Sequence, residues 1–195
     1  MRFIVVFILL GLLSCRSDSS NQGDDFFEKG QYKKAIEAYN DYLSSNAKKA
    51  SVLYNRGRAY EELGDFKNAE MDFIAVLEMD EKNLSAFLSL SKLYYSQKAY
   101  NKAVIFADKA LEQNENSAQG HFLSARAKHQ LGYVESAMES YTSAININRD
   151  FGEAYLYRGA LKIHNGQNSS ACEDIRKAVA LNVREAKAVQ EKYCK

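Results

Sequence analysis

Residues 50–83 read ASVLYNRGRAYEELGDFKNAEMDFIAVLEMDEKN, and this stretch decides the fold. Its apolar residues recur at helical spacing on both sides of Gly64. Glycine readily takes the left-handed backbone conformation that ends a helix. The stretch therefore predicts two amphipathic helices, over 54–63 and 66–79, joined by a tight turn.

The same pattern returns along the chain at a step of 34 residues. One column of this repeat is alanine: Ala35, Ala69, Ala103, Ala137 and Ala171. A second column is glycine: Gly30, Gly64, Gly132 and Gly166, with Lys98 at the remaining site. A fixed period of this length is typical of stacked helix pairs, in which each unit packs mainly on its neighbours.

Eight positions within residues 50–83 carry a known repeat signature. They are Leu53, Gly57, Tyr60, Gly64, Phe66, Ala69, Phe73 and Leu77. With these residues the chain resembles the tetratricopeptide repeat family. The resemblance implies an all-α fold, a right-handed α-α superhelix of about four and a half units. The expected solenoid covers 24–185, with a partial unit 24–49 and full units 50–83, 84–117, 118–151 and 152–185. Residues 186–195 are expected to form a capping helix, which solenoids need at their apolar ends.

Composition argues against several classes of protein. The chain has 195 residues, of which 46% are hydrophobic and 26% charged, so it can bury a core. Its 26 basic and 25 acidic residues nearly cancel, which disfavours a nucleic-acid binder that relies on bulk charge. The sequence contains no phosphate-binding loop, hydrolase elbow or metalloprotease motif. We therefore predict no enzymatic activity, no cofactor and no small-molecule substrate.

The sequence offers no evident metal site or catalytic histidine. None of His121, His129 and His164 has a second histidine or a cysteine three or four residues away, which is the spacing of a helical ligand pair. We expect these histidines to pack or to line a surface. No metal site and no catalytic residue is predicted.

The N-terminus resembles the signal of a bacterial lipoprotein. Arg2 precedes an apolar run at 3–13, and the run leads to Ser14 and Cys15. The run is too short to span a bilayer. The resemblance implies a signal peptide over 1–14, a lipid on Cys15 and a flexible tether over 15–23. It also implies a Gram-negative cell envelope, with the protein anchored in the outer membrane and facing the periplasm. The alternative is an ordinary cleaved signal that leaves a soluble secreted protein.

Two further cysteines lie near the C-terminus. Cys172 and Cys194 are equally far in sequence from Val183, which falls in a predicted turn. An antiparallel helix pair that folds at this turn would place the two thiols side by side. In an exported protein we expect a disulfide that fastens the capping helix. The alternative is two reduced, buried cysteines, and a mass difference of two hydrogens separates the two states.

The first helices of such repeats line a concave groove, and their surface positions recur at the same step. The predicted partner-binding residues are Tyr54, Arg58, Glu61, Leu88, Lys92, Tyr95, Phe122, Arg126, His129 and Leu156. Apolar positions run beside the basic residues Arg58, Lys92 and Arg126, all three of which are expected to be solvent-exposed. This groove would accept a peptide with apolar side chains and a carboxylate. The alternative is that the apolar groups pack against neighbouring helices and the charges are ordinary solvated ones.

These features predict a non-enzymatic, lipid-anchored scaffold that binds a peptide or partner protein in its groove, in cell-envelope assembly. A second hypothesis is an adaptor subunit that presents an envelope hydrolase to its substrate. Recovery of one stoichiometric hydrolase would favour the adaptor. Recovery of several unrelated clients would favour the scaffold.

Overall fold

The computed structural model describes residues 19–194, and in this part of the chain the only regular elements are eleven α-helices. In chain order they are α1 Ser19–Glu28, α2 Tyr32–Ser45, α3 Ala50–Glu62, α4 Phe66–Met79, α5 Leu84–Ser96, α6 Tyr100–Gln113, α7 Ala118–Gln130, α8 Val134–Ile147, α9 Gly152–His164, α10 Asn168–Ala180 and α11 Ala186–Tyr193. Each helix packs on its neighbours in sequence. The predicted all-α solenoid is confirmed.

The odd-numbered helices form one layer of the solenoid. Helices α1, α3, α5, α7 and α9 contact one another in succession, besides packing on their even-numbered partners. The contacts between the odd-numbered helices place them on the inner side of the curve. Side chains that they leave uncovered therefore line a groove that crosses several units.

Small residues allow the two helices of each unit to approach closely. The five members of the alanine column are fully buried. Four residues further along, large side chains such as Tyr39, Phe73 and Tyr141 are also almost completely buried. At Gly57 the ring of Phe73 occupies space that a Cβ atom would need. The small residues that recur every 34 positions thus lie where helices cross.

The first unit is more complete than the sequence predicted. Helix α1 begins at Ser19, so residues 19–23 are helical, and the expected flexible tether is wrong for this stretch. The reason is Gly23, which is buried and leaves room for the ring of Tyr39. The hydroxyl of Tyr39 then donates a hydrogen bond of 2.6 Å to Asp24. The proposed signal peptide, Cys15 and the residues up to 18 lie outside the described part.

The turns between the paired helices use the left-handed conformation, as the glycine column predicts. Gly30, Gly64, Gly132 and Gly166 have φ values of 69° to 80°. Lys98 takes the same turn with a φ of 60°. Its N–H donates to the carbonyl of Tyr95 at 2.9 Å, and the next N–H, of Ala99, donates to Tyr94 at 2.8 Å. The third unit therefore keeps the turn although its residue is ill-suited to it.

Helix α11 covers the last unit at the C-terminal end. Ala186 is fully buried and packs in a cluster with Leu156 and Ala178. A disulfide joins Cys172 in α10 to Cys194 just after α11, with an S–S distance of 2.06 Å. The bond closes a loop across 22 positions of sequence and ties the capping helix to the preceding unit.

We expect that Lys98→Gly stabilises the protein and that Gly64→Lys destabilises it. A side chain in the left-handed region costs about 1 kcal/mol, because its Cβ crowds the following carbonyl. A Cβ at Gly64 meets no other atom within 4 Å, so the backbone conformation alone is tested there. Urea unfolding of the two variants should shift the free energy of unfolding in opposite directions. A loss of stability in Lys98→Gly would contradict this account.

Candidate functional site

The inner layer contains an open cleft that crosses three units. Its cavity has a volume of about 240 Å³. The residues that line it come from α3, α5 and α7: Tyr54, Arg58, Glu61, Ser85, Leu88, Ser89, Lys92, Gln119 and Leu123. Five of the ten predicted groove residues thus lie together in one place. The cavity is smaller than the roughly 300–1,000 Å³ of typical small-molecule sites, and a peptide side chain suits it better.

Polar contacts bridge the first two walls of this cleft. Lys92 Nζ lies 3.1 Å from Glu61 Oε1, so one expected groove cation is already paired. The hydroxyls of Tyr54 and Ser89 lie 3.2 Å apart and form a hydrogen bond between α3 and α5. Leu88 adds an apolar surface between these pairs. The cleft is therefore mixed in chemistry, with its polar groups held in fixed positions.

One unit further on, the equivalent part of the groove is filled by a cluster around Arg126. The guanidinium carbon of Arg126 lies 4.1 Å from the ring centre of Tyr95 and 5.1 Å from that of Tyr157. The ring of Phe122, on the same helix, is 5.6 Å away. These rings come from α5, α7 and α9, so the cation joins three inner helices. Cation–π contacts of this kind are favourable when they are partly desolvated.

Two apolar residues predicted to line the groove are buried in the core instead. Phe122 is 6% exposed because the ring of Phe151 packs against it at 4.7 Å. Leu156 is 8% exposed because the capping helix covers it. For these two positions the groove prediction is wrong, and the alternative, packing against neighbouring helices, is correct.

The expectation that all three basic residues are solvent-exposed is correct for Arg58 and Lys92 and wrong for Arg126. Arg58 is exposed, and its guanidinium lies over the ring of Phe27 at 4.5 Å. Lys92 is exposed but paired with Glu61. Arg126 is half-buried, and its Nε is buried without a hydrogen-bond acceptor among residues 19–194. The three cations thus have three different environments, although they occupy one column of the repeat.

The remaining two predicted groove residues lie beside this cluster. Tyr95 covers Arg126, and His129 is half-buried one turn beyond it on α7. Burial lowers the pKa of His129, and the charge of His164 lowers it further. Burial thus favours the uncharged form of His129. Across residues 19–194 no group of three or more potential ligand side chains is arranged to hold a metal ion.

Sequence reasoning missed two buried ion pairs. Arg56 donates to both carboxylate oxygens of Asp72 at 2.8 and 2.6 Å, and Arg158 does the same to Asp174 at 2.8 and 2.7 Å. Both aspartates are at most 5% exposed. Lys162 adds a second cation 2.8 Å from Asp174. The signal was present in the sequence, since the two pairs are related by three repeat steps.

The sequence matches the tetratricopeptide repeat family over residues 20–77, 63–118 and 118–151. The chain belongs to this family. Human DnaJ homolog subfamily C member 7 is 25% identical over 179 residues, a match that covers 85% of this chain and 35% of that protein. The chain spans at most about a third of the length of the curated relatives that it matches.

Solved structures of tetratricopeptide proteins have the same fold. MamA from Desulfovibrio magneticus RS-1 superposes with a TM-score of 0.76 at 18% identity, covering 84% of this chain and 93% of that one. YrrB, described as a tetratricopeptide protein with an unusual peptide-binding site, gives a TM-score of 0.68 at 18% identity, covering 89% and 90%. At these identities the structural similarity establishes the fold and does not identify a ligand.

We expect Arg126→Glu to lower the free energy of unfolding by at least about 2 kcal/mol, because it places an unpaired carboxylate among aromatic faces. Arg58→Glu should cost about 1 kcal/mol, since at an exposed site it removes a cation–π contact and adds repulsion from Glu61 and Glu62 on the same helix. The two variants make the same charge change in one column of the repeat. Chemical denaturation compares them, and equal losses of stability would contradict the different environments described here.

Proposed function

We propose that this protein is a non-enzymatic, lipid-anchored scaffold of the cell envelope, which binds a peptide segment of a partner protein in its inner groove. The observation that carries the proposal is the open cleft between α3, α5 and α7. Tetratricopeptide proteins bind protein or peptide partners, which supports the class of ligand. The cleft gives that ligand a defined place.

The shape and chemistry of the cleft suit an extended segment. The cleft crosses three helices, so a bound chain can touch several units at once. Leu88 offers apolar contact, while the Lys92–Glu61 pair and the Tyr54 hydroxyl offer polar contact. Grooves of this kind hold a peptide by pockets for individual side chains.

The proposed membrane anchor rests on the sequence that precedes α1. Helix α1 begins at Ser19, four positions after Cys15. Four residues of extended chain span at most about 14 Å. A lipid on Cys15 would therefore hold the first unit close to the membrane surface. No helix in the described range 19–194 is both long and apolar enough to cross a bilayer.

The groove is tested by site-specific photocrosslinking in intact cells. A photoreactive residue in place of Ser85, which is exposed in the cleft, should capture a partner. The matched control is Asn101, which is exposed on α6, outside the inner layer. Capture from position 85 alone supports the proposal.

A second experiment blocks the cleft with a bulky uncharged side chain, so that the charge of the cleft is unchanged. Ser85→Trp should fill the cavity and reduce recovery of the partner at least tenfold, while Asn101→Trp should leave recovery unchanged. Both substitutions are at exposed helical positions, so the helical circular-dichroism signal should be retained. Equal capture from both faces, or unchanged recovery in Ser85→Trp, would contradict binding in the cleft.

The anchor is tested by metabolic labelling with a radioactive fatty acid. The wild-type chain should carry the label and sediment with membranes. Cys15→Ala should lose both properties because no thiol is left to form the thioether. Cys172→Ala and Cys194→Ala together serve as the control, and they should keep the label. Label that persists in Cys15→Ala would contradict the proposed anchor.

A further inference from the structure

We propose that a second copy of this chain docks on the outer face of α4, with the two α4 helices antiparallel across a twofold axis. The inference is independent of the peptide cleft, which lies on the inner side of the solenoid. Four exposed side chains, which form one stripe along α4, carry the proposal. They are Lys67, Met71, Ile74 and Glu78.

The stripe lies on one side of its helix and points to solvent. Its members are separated by four, three and four positions, a spacing that aligns side chains along one face of an α-helix. Met71 is 59% exposed and Ile74 is 39% exposed, whereas Phe73 and Val76 on the opposite side of α4 are at most 1% exposed. The apolar pair at the centre of the stripe is therefore left uncovered by residues 19–194.

The other units have no such stripe. At the position of Met71 they have Glu37, Ile105, Glu139 and Glu173, and at the position of Ile74 they have Asn40, Asp108, Thr142 and Arg176. Most of these residues are polar, and the units that contain them keep the same fold. The packing of the solenoid therefore does not require apolar residues at these two positions. Contact with another molecule explains why α4 has them.

The charged ends of the stripe make it complementary to itself. Lys67 and Glu78 are exposed, and neither has an ion-pair partner within residues 19–194. The midpoint between Lys67 and Glu78 is also the midpoint between Met71 and Ile74. A twofold axis at this point places Lys67 of each copy opposite Glu78 of the other, and Met71 opposite Ile74. Two ion pairs then flank an apolar centre.

The charges also determine the orientation of the two copies. A parallel pairing would set lysine against lysine and glutamate against glutamate, and such like-charge contacts disfavour it. Ala75, half-buried beside the stripe, carries only a methyl group. Antiparallel helices can therefore approach to the usual separation of about 8–10 Å.

The shape of the outer face limits the size of this contact. The even-numbered helices lie on the outer side of the curve, so two such faces meet at little more than one helix pair. This contact buries less than the roughly 1,600 Å² of a standard interface. We therefore expect a weak dimer that forms at micromolar or higher concentrations of the chain.

Zero-length crosslinking of the purified full chain tests the contact directly. The chain is held in detergent with micelles in large excess, so that two copies do not share a micelle by chance. A carbodiimide condenses an amine with a carboxylate, with loss of water, only where the two groups touch. Lys67 and Glu78 of one chain are eleven positions apart, or about 16 Å along the helix, so an amide between them must join two copies.

Mass spectrometry should find this Lys67–Glu78 amide in a covalent dimer. A chain that stays monomeric at about 0.5 mM, or a dimer that is crosslinked only through other residues, would overturn the proposal. The same reaction is carried out on whole membranes before solubilisation. Capture of a different protein at Lys67, without the Lys67–Glu78 amide, would assign the stripe to that protein and also overturn the proposal.

Charge reversal distinguishes a second copy from any other occupant. Lys67→Glu sets glutamates against glutamates at both ends of the interface, and Glu78→Lys sets lysines against lysines. Each variant should raise the dissociation constant in sedimentation equilibrium about tenfold. A chain with both substitutions should associate as wild type does. An equimolar mixture of the two single variants should form heterodimers, because every charge then meets its opposite.

The matched control is Lys33→Glu on α2. Lys33 is exposed and stands 34 positions before Lys67, so the same charge change is made in the same column of the repeat. This variant should associate as wild type does. All these substitutions are at exposed helical positions, so the helical circular-dichroism signal should be retained.

Three results of the variants would contradict docking of a second copy. They are wild-type association of the single variants, no heterodimer in their mixture, and equal weakening by Lys33→Glu and Lys67→Glu. None of these results affects the cleft or its photocrosslinking test, because the outer face of α4 and the cleft have no residue in common.

Discussion

The close crossing of two helices at a buried alanine is the contact on which the whole solenoid depends. Each crossing at the alanine column sets the distance between the helices of a unit. In four of the five units a large side chain one turn later fills the space that remains: Tyr39, Phe73, Tyr141 and Ile175. A larger residue at the crossing would separate the helices. Because every unit has the same crossing, each odd-numbered helix comes to lie beside the next one. The groove is a consequence of this repeated contact.

The shape and chemistry of the groove nevertheless change along its length, because its surface residues do not recur every 34 positions as the core residues do. Between α3, α5 and α7 the walls carry small or paired polar groups, and a cleft remains. One unit later Tyr157 occupies the corresponding wall and covers Arg126 together with Tyr95. A single aromatic side chain thus separates an open binding surface from a closed cluster. The repeated backbone provides the frame, and individual side chains decide where a ligand fits.

The sequence predicted the features that depend on residues close together in one unit. The helix pairs, the turns and the buried alanine column all follow from the period. Helix α1 was missed because the predicted partial unit began only at residue 24, after a tether. Gly23 stands 34 residues before Gly57, which lies against the ring of Phe73 at a helix crossing, and this spacing could have revealed the helix.

The groove residues were harder to predict, because their burial depends on contacts between units. Leu156 is covered by a helix that begins thirty residues later, at Ala186. Arg126 meets rings from two other helices. A column of the repeat identifies which residues share a face of the helix. It does not identify which of them a neighbouring unit covers.

The arginines of the two buried ion pairs also tie neighbouring units together. Arg56 also bonds Asn40 of the preceding unit at 2.7 Å, and Arg158 also reaches Thr142 at 3.1 Å. Each of these bonds crosses the boundary between two units. The two central boundaries carry such bonds too, since Tyr94 of α5 donates to Glu70 of α4 at 2.6 Å and Ser124 of α7 donates to Asp108 of α6 at 3.1 Å. A hydrogen bond weakens when its atoms move out of line, so a bend that widened the cleft would have to distort bonds at the boundaries beside it.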